Sequence, residues 1–186
     1  MLKDKGVIDE AGWHLKEGQG VPIPTSLQAL IGSRIDQLEQ PERRVTQHAS
    51  VVGSTFWPGA VAHLQDESKT AADDELLQRI EILERRDLVR SHEQSSVAGE
   101  QEYGFKHIMI RDVSYGRMPK GRRAQLHVRF GDWVEALPTV ADEFVEIVAY
   151  HLEQACRLTR EIARATIDPP IRRTMAPSET RIGISK

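Results

Sequence analysis

Apolar residues along this chain keep to two rhythms, and the places where one gives way to the other divide it. Leu27, Leu30, Ile31, Ile35 and Leu38 recur at helical spacing, with Gln28, Ser33, Arg34 and Gln37 mostly off the stripe. Pro22 and Pro24 stop any helix before them, and Thr25 or Ser26 can cap this one. A second helix opens at Pro41 and Glu42, buries Val45, Ala49 and Val52, and ends at Gly53. A short third follows Trp57-Pro58-Gly59 with Val61 and Leu64 inward. A longer fourth begins with Asp73, Asp74 and Glu75, where the helix dipole favours acids, and buries Leu76, Leu77, Ile80 and Leu83.

The period then falls to two. Leu88 to His92 predicts one strand, and Tyr103 and Phe105, alternating with Gly104 and Lys106, predict its partner across a loop holding Ser95, Ser96 and Gly99. Helical spacing resumes after His107 with Ile108, Ile110 and Tyr115. Met118-Pro119-Lys120-Gly121 breaks the chain before a stripe of Leu126, Phe130, Trp133, Val134 and Leu137. Beyond Pro138, Phe144, Ile147, Val148, His151, Leu152 and Ala155 predict a last helix reaching about Arg160.

Three helices followed by a hairpin spell a winged helix, so the expected fold is mainly α: a winged helix over residues 39–118, then a helical, repeat-like segment over 119–166. Residues 1–20 read as a hairpin remnant, since Val7, Ile8, Trp13 and Leu15 give two strands too few to stand alone. Residues 167–186, with Pro169, Pro170 and Pro177, read as a largely disordered tail.

A net charge of −3 and a pI of about 6.2 argue against a general polyanion-binding surface. From Asp73 to Asp87 six acids face three bases, and the wing adds Glu93, Glu100 and Glu102, so the two elements that usually meet DNA in this fold would repel phosphate. A stand-alone DNA-binding regulator is therefore the second reading. The basic group Arg117, Lys120, Arg122 and Arg123 reads as a solvated turn or a contact for an acidic partner. One cysteine, Cys156, excludes an internal disulfide and suits a reducing cytoplasm; no apolar run reaches membrane-span length.

No phosphate-binding G-x-x-x-x-G-K-[S/T] loop, H-E-x-x-H or G-x-S-x-G occurs, and the seven histidines are scattered rather than set at ligand spacing, so no enzyme and no metal site is expected. Asp73-Asp74 is explained by helix capping. The stretch Phe105 to Tyr115, F-K-H-I-M-I-R-D-V-S-Y, is the one candidate site: His107 falls where strand gives way to helix, beside free N–H groups able to hold an anion. The residues equally allow His107 to cap or pack locally, and Arg111 with Asp112 to be a solvated pair.

Three stretches in order, P-T-S-L-Q-A-L-I-G-S-R-I-D-Q-L (Pro24–Leu38), F-K-H-I-M-I-R-D-V-S-Y and A-Y-H-L-E-Q-A (Ala149–Ala155), resemble the large bacterial signal-transduction ATPases of the STAND class, related to AAA proteins and joined to adenylate or guanylate cyclase domains. The resemblance spans roughly residues 1–173 and omits the nucleotide-binding half. It implies that residues 1–38 end the ATPase lid, that the winged helix folds back on the ATPase domain, and that helical repeats follow. It implies a non-catalytic regulatory arm, a fragment of a longer protein, in which Leu27, Leu30, Ile35 and Leu38 seat on the ATPase core. ADP or ATP with Mg would bind only in the whole parent, where His107 would touch the β-phosphate of ADP, with Arg111 and Asp112 beside it as nucleotide-sensing candidates. The family's Asp after this His is Ile108 here. Left without its partners, the arm would self-associate through exposed apolar faces.

Overall fold

The computed structural model describes residues 25–65, 72–137 and 142–167. Among these the chain is mainly helical, with a small three-stranded antiparallel sheet. The elements are α1 (Thr25–Asp36), α2 (Gln40–Val52), β1 (Thr55–Phe56), α3 (Pro58–Gln65), α4 (Ala72–Arg85), β2 (Val89–Ser91), β3 (Tyr103–Phe105), α5 (Ile108–Gly116), α6 (Lys120–Glu135) and α7 (Asp142–Ile167). The expected hairpin over residues 1–20 and the tail beyond Ile167 lie outside the described residues.

Local chemistry explains most of the boundaries. Pro41 sits in the first turn of α2, where its missing N–H costs nothing. Asp87 ends α4 in the left-handed conformation (φ 62°), with its own N–H on Glu84 and the Leu88 N–H returned to the Leu83 carbonyl; its carboxylate pairs with Lys106. The sheet runs β1-β3-β2, with Phe56 opposite Tyr103 and Val89 opposite Phe105. β1 was not expected: two residues cannot show a period. Its Phe56 is fully buried in the shared core, and its ring lies 5.8 Å from Tyr103 and 5.6 Å from Phe105 of β3, an aromatic cluster across the two strands.

One core runs through every helix, from Ile31 in α1 to Phe144 in α7. The divisions read from sequence at 38/39 and 118/119 fall in helix connections, and the core crosses both. Ile31, Ile35 and Leu38 are buried in this chain's own core, which corrects the expectation that α1 seats on a separate ATPase core; of the residues named for that role Leu30 is exposed (61 %) and Leu27 is half-buried. Arg117 pins α1 further, gripping Asp36 with two nitrogens as it passes over Gly32, where a side chain would collide with the guanidinium.

Two helices differ from expectation. α6 begins at Lys120, and Gly121 is not a breaker but a first-turn residue, beside Ile162 of α7. α7 runs seven residues past Arg160, to Ile167, antiparallel to α6: Lys120 pairs with Glu161 (2.7 Å) at one end, and Gly131 meets Val148 and Leu152 further along. The Trp57 ring stacks on Trp133 at 5.8 Å and joins this hairpin to α3.

Candidate functional site

His107 stands immediately before α5, in extended conformation (φ −138°, ψ 136°), exposed and making no side-chain cap bond. The junction predicted from the change of period is therefore present, and its local-capping alternative is not. Arg111 and Asp112 do pair (3.0 Å), but half-buried and not around His107. Arg111 Nε donates to the Ser50 carbonyl (2.8 Å) at the C-terminal end of α2, and its guanidinium lies 4.9 Å from the centre of the Tyr115 ring. A cation there satisfies a carbonyl that the helix leaves free and suits the negative end of its dipole. Arg111 thus fastens α5 to α2.

The described residues hold a polar cluster that sequence reading missed. Tyr115, His127 and His151, from α5, α6 and α7, form a chain: Tyr115 Oη to His127 Nε2 is 2.8 Å, and His127 Nδ1 to His151 Nδ1 is 2.9 Å. The Val52 backbone is a further hydrogen-bond partner of the His151 ring. Each contact along the chain needs one donor and one acceptor, so the proton each ring carries follows its tautomer. Both rings are neutral.

Their surroundings enforce neutrality. Burial, then the charges of Arg111, Arg123 and Arg157, push His127 down to about 4. Burial, then His127 and Arg111, push His151 to about 3, against the Val52 bond. Arg111 and Arg123 both lie over the Tyr115 ring, at 4.9 and 4.8 Å from its centre, while burial raises the Tyr115 hydroxyl. A third buried histidine, His48 on α2, is held to about 3 by burial and by Arg122, Arg44 and Arg129; its Nε2 lies 3.4 Å from Arg122. Nothing in the sequence joins His127 to His151 across 24 positions except their burial-prone spacing on two apolar stripes.

The basic group after α5 is neither a solvated turn nor one patch. Arg117 holds Asp36, Lys120 holds Glu161, Arg122 meets His48, and Arg123 covers Tyr115. The wing acids are also structural in part. Glu100 accepts the Gly59 N–H (3.0 Å) at the start of α3, and buried Glu102 accepts from Ser96 N (3.0 Å) and Oγ (2.7 Å) and meets His92 (3.1 Å). On α4, Glu84 accepts from Ser91 N and Oγ, whereas Asp74, Glu75 and Glu81 are exposed. Among the described residues no group of three or more His, Cys, Asp or Glu is set to hold a metal, and no helix is long and apolar enough to cross a membrane.

Compared with known proteins, the chain matches no family model, no curated protein and no solved structure.

Proposed function

We propose that residues 39–118 are a winged helix and that the chain is the non-catalytic regulatory arm of a cyclase-associated signalling ATPase, acting by packing against a nucleotide-binding domain. The element order supports the fold reading: three helices with β1 after the first, then a hairpin whose second strand pairs with both others. The single observation that carries the functional reading is His107, exposed and without a side-chain bond at the start of a helix. A ring so placed can donate to an anion beside free backbone N–H groups, and an ADP-bound parent would favour the arrangement in which that contact is made. Arg111 and Asp112 are positioning residues in this reading, holding α5 against α2 so that His107 keeps its aim.

The test starts with an immunoblot of the source cells. A native band far above 21.0 kDa supports an arm of a larger protein, and in that protein His107→Ala should speed ADP release. A native band at 21.0 kDa would overturn the arm reading; unchanged ADP release in the mutant would overturn the latch. The second reading, a stand-alone DNA-binding regulator, draws on the same element order, but the exposed acids of α4 oppose it. A low-salt gel shift on random duplex would revive it.

A further inference from the structure

The last helix carries a second stripe that the described structure leaves largely exposed, Leu152 leaning in part on Gly131 of α6. Val145, Ala149, Leu152, Cys156, Thr159 and Ala163 follow one another in alternating steps of four and three, the heptad spacing of a coiled-coil seam, and all six are exposed. Val145 is 61 % exposed and Leu152 42 %. This is not the stripe that faces the core, which Phe144, His151, Ala155 and Leu158 form. Thr159 donates its hydroxyl back to the Ala155 carbonyl (2.8 Å), so the donor is satisfied within the helix and does not oppose burial of the seam. The seam is about 28 Å long at 1.5 Å per residue. Val128, exposed on the neighbouring α6, adds to the same apolar character.

Charge along α7 says what fits. Its first half, Asp142 to Gln154, holds Asp142, Glu143, Glu146 and Glu153 and no Lys or Arg; its second half holds Arg157, Arg160 and Arg164 against Glu161 alone. A second α7 laid parallel would set acids on acids and arginines on arginines. Laid antiparallel, it sets each acidic half on a basic half, and Leu152 opposite Cys156 of the other copy near the two-fold axis. Like-charge juxtaposition is a strong discriminator between such alternatives. In sequence, Pro138 precedes the helix and Pro169 and Pro170 follow it, so the seam is bounded at both ends.

We infer that this face of α7 is a self-association surface, on which a second copy of the chain packs antiparallel through the Val145–Ala163 seam. The α6–α7 hairpins of two copies then form a four-helix arrangement with a two-fold axis. This inference is independent of the regulatory-arm reading and survives its failure.

The test is sedimentation equilibrium on the purified chain at high micromolar concentration. The expected mass is twice 21.0 kDa, falling to the monomer in Leu152→Glu with unchanged circular dichroism, since Leu152 is already half in water. A monomeric wild type, including one that dimerises only when a foreign helical peptide is supplied, overturns the inference, as does a Leu152→Glu dimer. Orientation is read by mixing the wild type with a Leu152→Cys, Cys156→Ser variant under mild oxidation. Antiparallel packing gives the mixed disulfide as the main product; predominance of the two like-with-like disulfides overturns the antiparallel arrangement.

Discussion

Lowering the pH from about 7 to about 5 should destabilise this protein before its carboxylates titrate, because three buried histidines are neutral in the fold and free to charge when it opens. His48, His127 and His151 have folded values of about 3, 4 and 3 against an ordinary 6.5. The sign follows from proton counts: below 6.5 the unfolded chain binds protons that the native state refuses, so stability is whole above 6.5 and falls as pH drops toward the folded values. Each histidine contributes a slope approaching 1.4 kcal/mol per pH unit, or about 2 kcal/mol between pH 7 and 5. Three together give about 6 kcal/mol, comparable with the whole stability of an ordinary domain. Urea unfolding followed by circular dichroism at pH 7, 6 and 5 measures the loss directly. His151→Phe isolates the chain: at pH 7 it removes the ring partner of His127 Nδ1 and of the Val52 backbone, costing about 2 to 5 kcal/mol. Its decline from pH 7 to 5 should nonetheless be shallower than the wild type's by about 2 kcal/mol. A wild-type stability that changes by less than about 1 kcal/mol over that range would refute the neutral chain.

Three further outcomes are expected. Arg111→Ala removes a charged donor to Ser50 and a ring contact, and should lose about 2 to 3 kcal/mol in the same urea assay, whereas His107→Ala should stay within about 0.5 kcal/mol, leaving its functional test free of unfolding. Glu100→Ala uncaps α3 and should cost about 1 kcal/mol, with faster amide exchange at Gly59 and in the wing loop. Asp87→Val places a branched side chain at φ 62° and should cost more than about 1 kcal/mol, while Asp87→Gly should be tolerated better; equal losses would argue against a backbone cause.

Long periodic segments were legible and pairings were not. The stripes of α1, α2 and α4 and the switch at His107 could be read because burial on one face leaves a repeating mark in the order of residues. β1 left none, being two residues long. Gly121 misled because a glycine inside the first turn of a helix looks, in sequence, like one that breaks it. α7 was cut short because its exposed stripe of small residues dilutes the apolar signal after Arg160. The candidate site suffered most: Arg111 and Asp112 were named, yet their partners Ser50 and Tyr115 are tertiary, and the Tyr115–His127–His151 chain depends on three helices meeting. Charge counting over the wing assumed solvent-facing acids, and could not see that Glu100 and Glu102 turn inward.

The C-terminal end of α2 shows where this chain resists being cut. The Ser50 carbonyl takes its proton donor from α5, and the Val52 backbone takes its partner from α7, a hundred residues later in the chain by rough count. A truncation after Met118 would keep every element of the three-helix and hairpin unit and still strand the Val52 backbone, along with the surfaces of Trp57 and Val52 that α6 and α7 shelter. Such a piece should express poorly however natural its boundary looks. The hairpin is accordingly not an appendage to the unit before it but its final layer, and a domain parser guided by loops would divide the protein through the middle of one cooperative structure.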